Sequence, residues 1–177
     1  QQFQTANNMT DQLAALRMLV AGKKTESEKL ANQALGDFYQ RWRDEPLVVD
    51  QWLSVQAVAQ KPGTLSAVES LIDHPAFELK NPNKVRALIG AFCSQNHLGF
   101  HDISGAGYEF LAEQVIALDN INPQIAARLL TPLTRWQKFD AIRQNLMQAE
   151  LLKIKSISSL SKDVYEVVEK STVNPAG

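Results

Sequence analysis

The chain has 177 residues, a formal net charge of -1, 45% hydrophobic residues and 21% charged residues. That balance suits one soluble globular domain, long enough to bury a sizeable core, and leaves no electrostatic case for nucleic acid or an anionic membrane as partner. No apolar run approaches the ~20 residues that span a bilayer, no signal peptide opens the chain, and the single cysteine, Cys93, excludes an internal disulfide framework and fits a reducing compartment, the cytoplasm.

In chain order, Thr10 or Asp11 is expected to cap a first helix, "DQLAALRMLVAG", with Leu13, Leu16 and Val20 on one face and Gly22 ending it. "TESEKLANQALGDFYQRWR" follows, with Leu30, Ala34, Phe38 and Trp42 at repeated four-residue spacing and a Thr25/Glu28 capping-box pattern at its start. "EPLVVDQWLSVQAVAQ" opens with Pro46 in a first turn and aligns Val49, Trp52, Leu53 and Gln56. "TLSAVESLIDHPAF" must stop before Pro75.

Two later helices share one starting device. "NPNKVRALIGAFCSQN" has Asn81 as cap and Pro82 at its first position, and "NPQIAARLL" repeats this with Asn122 and Pro123. Asparagine accepts from the free N–H groups of a first turn, and proline has no N–H to satisfy there. Between them a Gly/Ser-rich turn leads into a helix from about Tyr108 to Leu118. "FDAIRQNLMQAELLKIKS" is periodic through Ile142, Leu146, Ala149 and Ile154, and Ser161 caps the closing "SKDVYEVVEK". The pattern is all-α: about nine helices, no convincing strand, and short linkers that favour antiparallel pairs. Paired helices of this kind stack as a solenoid, with a compact bundle as the alternative. The whole of 1–177 reads as one domain with a frayed tail at 174–177; its abrupt opening without an initiator methionine leads us to expect a piece of a longer polypeptide.

Few constellations carry chemistry. Cys93, His97 and His101 are four apart and would share a face of an unbroken helix as metal ligands, but Asn96 and Gly99 are stop signals, so one buried thiol and two loop histidines are expected instead. His74, before Pro75, has no partner in sequence reach. No "HExxH" and no "GxSxG" occurs, and "SGAGYEF" lacks the ending of a phosphate loop. Carboxylate pairs such as Glu26/Glu28 and Asp163/Glu166 read as solvated charge, and Trp42, Trp52 and Trp136 as core anchors.

One feature stands apart. On a helical wheel Ile125, Leu129 and Leu133 share a face, while Gln124, Arg128, Thr131 and Arg135 fall together on another. Pro132 cannot donate to the Arg128 carbonyl, so a bend and a free acceptor are expected beside a fixed charge. Arg86 lies at the edge of the stripe of Val85, Leu88, Ile89 and Phe92. Two readings follow: ordinary surface arginines, or arginines aimed at a shared anionic or peptide ligand.

The segments "ANNMTDQLAAL", "DFYQRWRDEPLVVDQW", "HPAFELKNPNKVRALIGAF" and "NPQIAARLLTPLTRW" together resemble the C-terminal helical domain of the bacterial aminopeptidase N family, the alanyl aminopeptidases of the gluzincin zinc peptidases. The resemblance runs from about Ala6 to about Lys170. It implies a four-domain zinc exopeptidase whose zinc ligands and catalytic glutamate lie in an upstream catalytic domain. This chain would then hold no catalytic residue, no metal ligand and no cofactor. It implies an armadillo- or HEAT-like superhelical array that caps the catalytic domain, encloses the cavity and restricts entry to peptides. It also implies that Gln124 and Arg128, from "NPxxAARL", and Arg86, from "NPNxVRAL", face the leaving-group side of a peptide substrate. These are polar positions the wheel had already set apart. The alternative is a free-standing helical-repeat scaffold that binds a partner protein on a concave face.

Overall fold

A computed structural model describes residues 8–22 and 25–173. The Thr25 side chain, and with it the expected capping pair with Glu28, falls outside what is described, as does the tail at 174–177. All regular structure among the described residues is helical, with no strand. The chain divides into two compact units, Gln1–Gly99 and Phe100–Gly177.

The first unit contains α1 (Met9–Val20), α2 (Thr25–Trp42), α3 (Pro46–Ala57), α4 (Thr64–Ile72), α5 (Pro82–Val85), a π-helical turn (Arg86–Gly90) and α6 (Ala91–Gln95). A short α7 (His97–Phe100) spans the junction in the chain. The cap of α1 is Asn8, two residues before the expected Thr10 and three before Asp11. Its side-chain oxygen accepts the Asp11 N–H at 2.9 Å, and its amide donates to the Asp11 carboxylate at 2.8 Å, so Asp11 serves inside the first turn. The expected face of α2 also needs correction. Ala31, Ala34 and Phe38 are buried, whereas Leu30 is 57% exposed. A strict four-residue spacing drifts around a helix of 3.6 residues per turn, so one end of such a row leaves the core.

α3 is the centre of this unit. Val49, Trp52, Leu53, Val55 and Ala57 are all buried, and the helix packs against α1, α2, α4 and the π-helical turn. An apolar surface on several sides marks a core helix. Trp52 donates its indole N–H to the Leu35 carbonyl at 3.0 Å, and Trp136 in the second unit donates to Ser171 O at 3.0 Å. Both tryptophans are the core anchors expected, each with its polar edge satisfied. Trp42 is only half-buried, bonded to Gln12 Oε1 at 3.0 Å. Asn96, read as a helix stop, is also a clamp. It is buried, its amide donates to Ala57 O and Ala59 O at 3.0 and 2.9 Å, and its oxygen accepts the Gly99 N–H at 2.9 Å.

The second unit holds α8 (Ala106–Asp119), α9 (Pro123–Leu129), α10 (Thr131–Thr134), a 3-10 turn (Trp136–Lys138), α11 (Ala141–Lys155) and α12 (Lys162–Thr172). α8 is its centre, burying Tyr108, Phe110, Leu111, Ala112, Val115 and Leu118 against α9 and α11. Gly105 starts it at φ 80, and a Cβ on Gly107 would lie 2.5 Å from the Phe100 carbonyl oxygen, so glycine alone fits there. On α11 the buried row is Met147, Leu151 and Ile154, whereas Ile142 is 58% exposed and Ala149 lies outside. Both rows have helical spacing. Ile154 is common to both rows, Leu146 is half-buried beside Gly105, and Arg143, four residues before Met147, donates Nε–H to the His101 carbonyl at 2.8 Å. Ser161 caps α12 as expected, accepting the Val164 N–H, and its own hydroxyl and N–H both donate to the buried Asp119 carboxylate.

Candidate functional site

Gln124 and Arg128 stand one turn apart on α9. Asn122 opens the helix, accepting the Ile125 N–H at 3.2 Å, with Pro123 at the first position. Ala126 and Leu129 are buried on the core side, so Gln124 and Arg128 must face outward, and both are exposed. Among the described residues neither the Gln124 amide nor the Arg128 guanidinium has a hydrogen-bond or ion-pair partner. Thr131 and Arg135 continue the same exposed face.

The acceptor expected to be free at Arg128 is occupied. α9 ends at Leu129, and the Thr131 hydroxyl donates to the Arg128 carbonyl at 2.8 Å. Pro132 then sits in the first turn of α10, where its missing N–H costs nothing. The Thr134 hydroxyl repeats the device on Thr131 O at 2.9 Å. Two threonines thus close the break that the proline makes. Leu130, Leu133 and Trp136, all buried, hold the segment from beneath.

Arg86 belongs to the first unit. Asn81 caps its helix, accepting the N–H groups of Asn83 and Lys84 at 3.0 and 3.4 Å. Lys84 reaches Asp50 on α3 at 2.8 Å and fixes that first turn. Arg86 begins the π-helical turn, with the Ala91 N–H bonded to its carbonyl. The guanidinium is exposed but held: Nε donates to Pro82 O at 3.2 Å and Nη2 to Asn83 Oδ1. A π turn inside an α-helix is rare and is found often at functional positions. Nothing in the apolar pattern of "VRALIGAF" announces it.

The Cys93/His97/His101 spacing does not build a metal site. Cys93 is buried, and burial pushes its thiol above the ordinary range, away from the thiolate a metal needs. His101 Nδ1 lies 2.9 Å from the Tyr108 hydroxyl, and its ring stacks on Phe139 at 4.3 Å. Among the described residues no group of three or more His, Cys, Asp or Glu could hold a metal ion. No helix of the described residues is long and apolar enough to cross a membrane.

His74 has no partner near it in sequence and finds its partners in the fold. Its ring packs on Tyr39 and Trp52, with centroids at 4.9 and 5.2 Å, and its Nδ1 accepts the Ala76 N–H at 3.0 Å. Burial holds its pKa below the ordinary 6.5. Lys138 is exposed just beyond Arg135. The available signal was the run 121–139, which contains no aspartate or glutamate.

Comparison with known proteins agrees with this architecture. A family model described as a domain of unknown function (DUF3458_C), ARM repeats, matches residues 1–173. The chain is 42% identical to an aminopeptidase N of Haemophilus influenzae, across 96% of its own length and 19% of the relative's. It is 43% identical to that of Caulobacter vibrioides and 41% to that of Escherichia coli K12, each with the same two coverages. Among solved structures, Legionella pneumophila aminopeptidase A in complex with aspartic acid aligns with a TM-score of 0.89 at 40% identity, covering 96% of this chain and 20% of that one. The chain thus spans about a fifth of the length of the relatives it matches. With its all-α, armadillo-type helices, the chain belongs to this family of C-terminal ARM-repeat domains and resembles that of bacterial aminopeptidase N.

Proposed function

We propose that the chain is the non-catalytic C-terminal domain of a cytoplasmic, zinc-dependent aminopeptidase that removes amino-terminal residues from peptides. Its partner is the catalytic domain of the same polypeptide, which would hold the zinc. This domain encloses the cavity, limits entry to peptides, and supplies polar contacts on the leaving-group side. The observation that carries the reading is the pair Gln124 and Arg128, exposed, adjacent and without partners among the described residues, on a face held rigid by buried Leu129 and Leu133. A guanidinium so placed binds a peptide carbonyl or carboxylate through charge-assisted hydrogen bonds without first breaking an ion pair. Arg86, in the first unit, carries a guanidinium whose direction is set in advance by Pro82 and Asn83, which lowers the entropy lost on binding. None of the three would touch the zinc. They orient the substrate, and the chemistry proceeds elsewhere.

The test uses the full polypeptide that carries this chain. Arg128→Ala and Arg86→Ala, assayed separately, should lower kcat/KM about tenfold on dipeptides, the loss of one charge-assisted contact. Single-residue amide substrates, which have nothing beyond the scissile bond, should be hydrolysed as before. If neither substrate class responds, the arginines are surface residues and the domain acts by enclosure alone.

A further inference from the structure

The second unit carries more positive charge on this face than the contacts to Gln124 and Arg128 require. The run 121–139 contains Arg128, Arg135 and Lys138 and no acidic residue, in a chain whose net charge is -1. All three cations are exposed, and among the described residues none of the three has a hydrogen-bond or ion-pair partner. The carboxylates nearest in sequence are already committed. Asp119 is buried and accepts both the N–H and the hydroxyl of Ser161, and Asp140 pairs with Arg143 at 2.7 Å. On the elements packed against α9, Glu166 of α12 is shared between Lys162 and Lys170, Glu169 pairs with Lys155, and Glu109 of α8 faces Lys153, while the exposed Glu113 and Asp163 make no ion pair with Arg128, Arg135 or Lys138. Like charges gathered in one exposed segment repel, and an external anion would offset that.

We propose that Arg135 and Lys138 extend the Gln124/Arg128 face into an anion-recognising strip that takes the downstream part of a peptide, favouring acidic side chains and a free terminal carboxylate. This rests on the peptidase reading for its ligand, since a peptide is the anion that would reach the face. The strip is built for the task. Its backbone is held by Thr131 and Thr134 hydroxyls on the Arg128 and Thr131 carbonyls, and from beneath by Leu133 and Trp136. A pre-set arginine fork matches a carboxylate in two hydrogen bonds, and a lysine adds a less directional charge.

The experiment is a calorimetric titration of the full polypeptide that carries this chain, held inactive by a metal chelator, with Ala-Ala-Glu-Glu, Ala-Ala-Gln-Gln and the carboxamide of the latter. The acidic peptide should bind most tightly and the carboxamide least. Arg135→Gln should weaken the acidic peptide about threefold to tenfold while leaving the carboxamide unchanged, and raising the salt to about 0.5 M should erase the difference among peptides. Equal affinity for all three peptides, or an Arg135→Gln variant that keeps the full preference, overturns the proposal. The two readings fail separately. A parent polypeptide that hydrolyses peptides with no acidic preference sinks the strip alone. A strip that selects acidic peptides in a polypeptide without aminopeptidase activity sinks the peptidase reading alone.

Discussion

The two Asn-Pro helices start alike and end differently. Both open on an asparagine cap with proline at the first position. In the first unit the helix runs from Pro82 to Gln95 by taking a π-helical turn at Arg86–Gly90. In the second it stops at Leu129, and Pro132 starts a new one. The arginines differ accordingly. Arg86 is tied back to its own first turn, whereas the Arg128 side chain is bound to nothing among the described residues. The same opening device therefore fixes where a helix begins, and not how it presents a side chain five or six residues later. That depends on how the backbone accommodates the packing that follows.

The largest effects should come from the packing itself. Leu88 and Leu133 are both fully buried, one inside the π turn and the other just past the proline. Leu88→Ala and Leu133→Ala should each cost about 2–5 kcal/mol by denaturant unfolding. A much smaller loss at Leu133 would mean that the segment around Pro132 collapses to fill the cavity, and that its face is less rigid than the strip demands.

The caps give a smaller contrast. Asn81 accepts two N–H groups and Asn122 one. Asn81→Ala and Asn122→Ala should each destabilise by about 1 kcal/mol, with the greater loss at Asn81. Equal losses would show that the longer bond to Lys84 adds nothing.

The smallest effect separates the units by pH. Burial holds His74, in the first unit, below its ordinary 6.5. Between the folded value and 6.5 the unfolded chain binds more protons than the folded one, so stability rises with pH there. The contribution is present above pH 6.5 and is lost as pH falls through the folded value. Denaturation midpoints measured across this window should slope upward with pH, and His74→Phe should flatten part of that slope. An unchanged slope would mean that the packing of His74 on Trp52 and Tyr39 does not keep its ring neutral.

Much of the local structure was legible because it rests on short-range chemistry. The Asn81, Asn122 and Ser161 caps lie where their side chains reach N–H groups two or three residues on. The exposed face of Gln124, Arg128, Thr131 and Arg135 follows from the wheel, because the apolar residues beside it have one core to enter. What was misread involves a choice that local spacing leaves open. On α11 the expected row kept Ile154 in the core and Leu146 half-buried but lost Ile142 and Ala149 to solvent, while Met147 and Leu151 are buried on the side of Arg143, whose long-range bond reaches the His101 carbonyl. On α2 the regular row lost Leu30 to solvent as the face turned.

The sequence by itself therefore determined the helical class, most helix boundaries and the outward direction of Gln124 and Arg128, since each depends on contacts within a few residues. Only the tertiary structure decided the π turn at Arg86, the inner face of α11 and the isolation of the charges at 121–139, whereas the threonine closure over Pro132 is a bond across three residues. The inner face of α11 goes with a bond from Arg143 to a carbonyl 42 residues away. A hydrogen bond or ion pair between residues forty positions apart leaves no periodic trace in either segment, so it cannot be read before the segments meet.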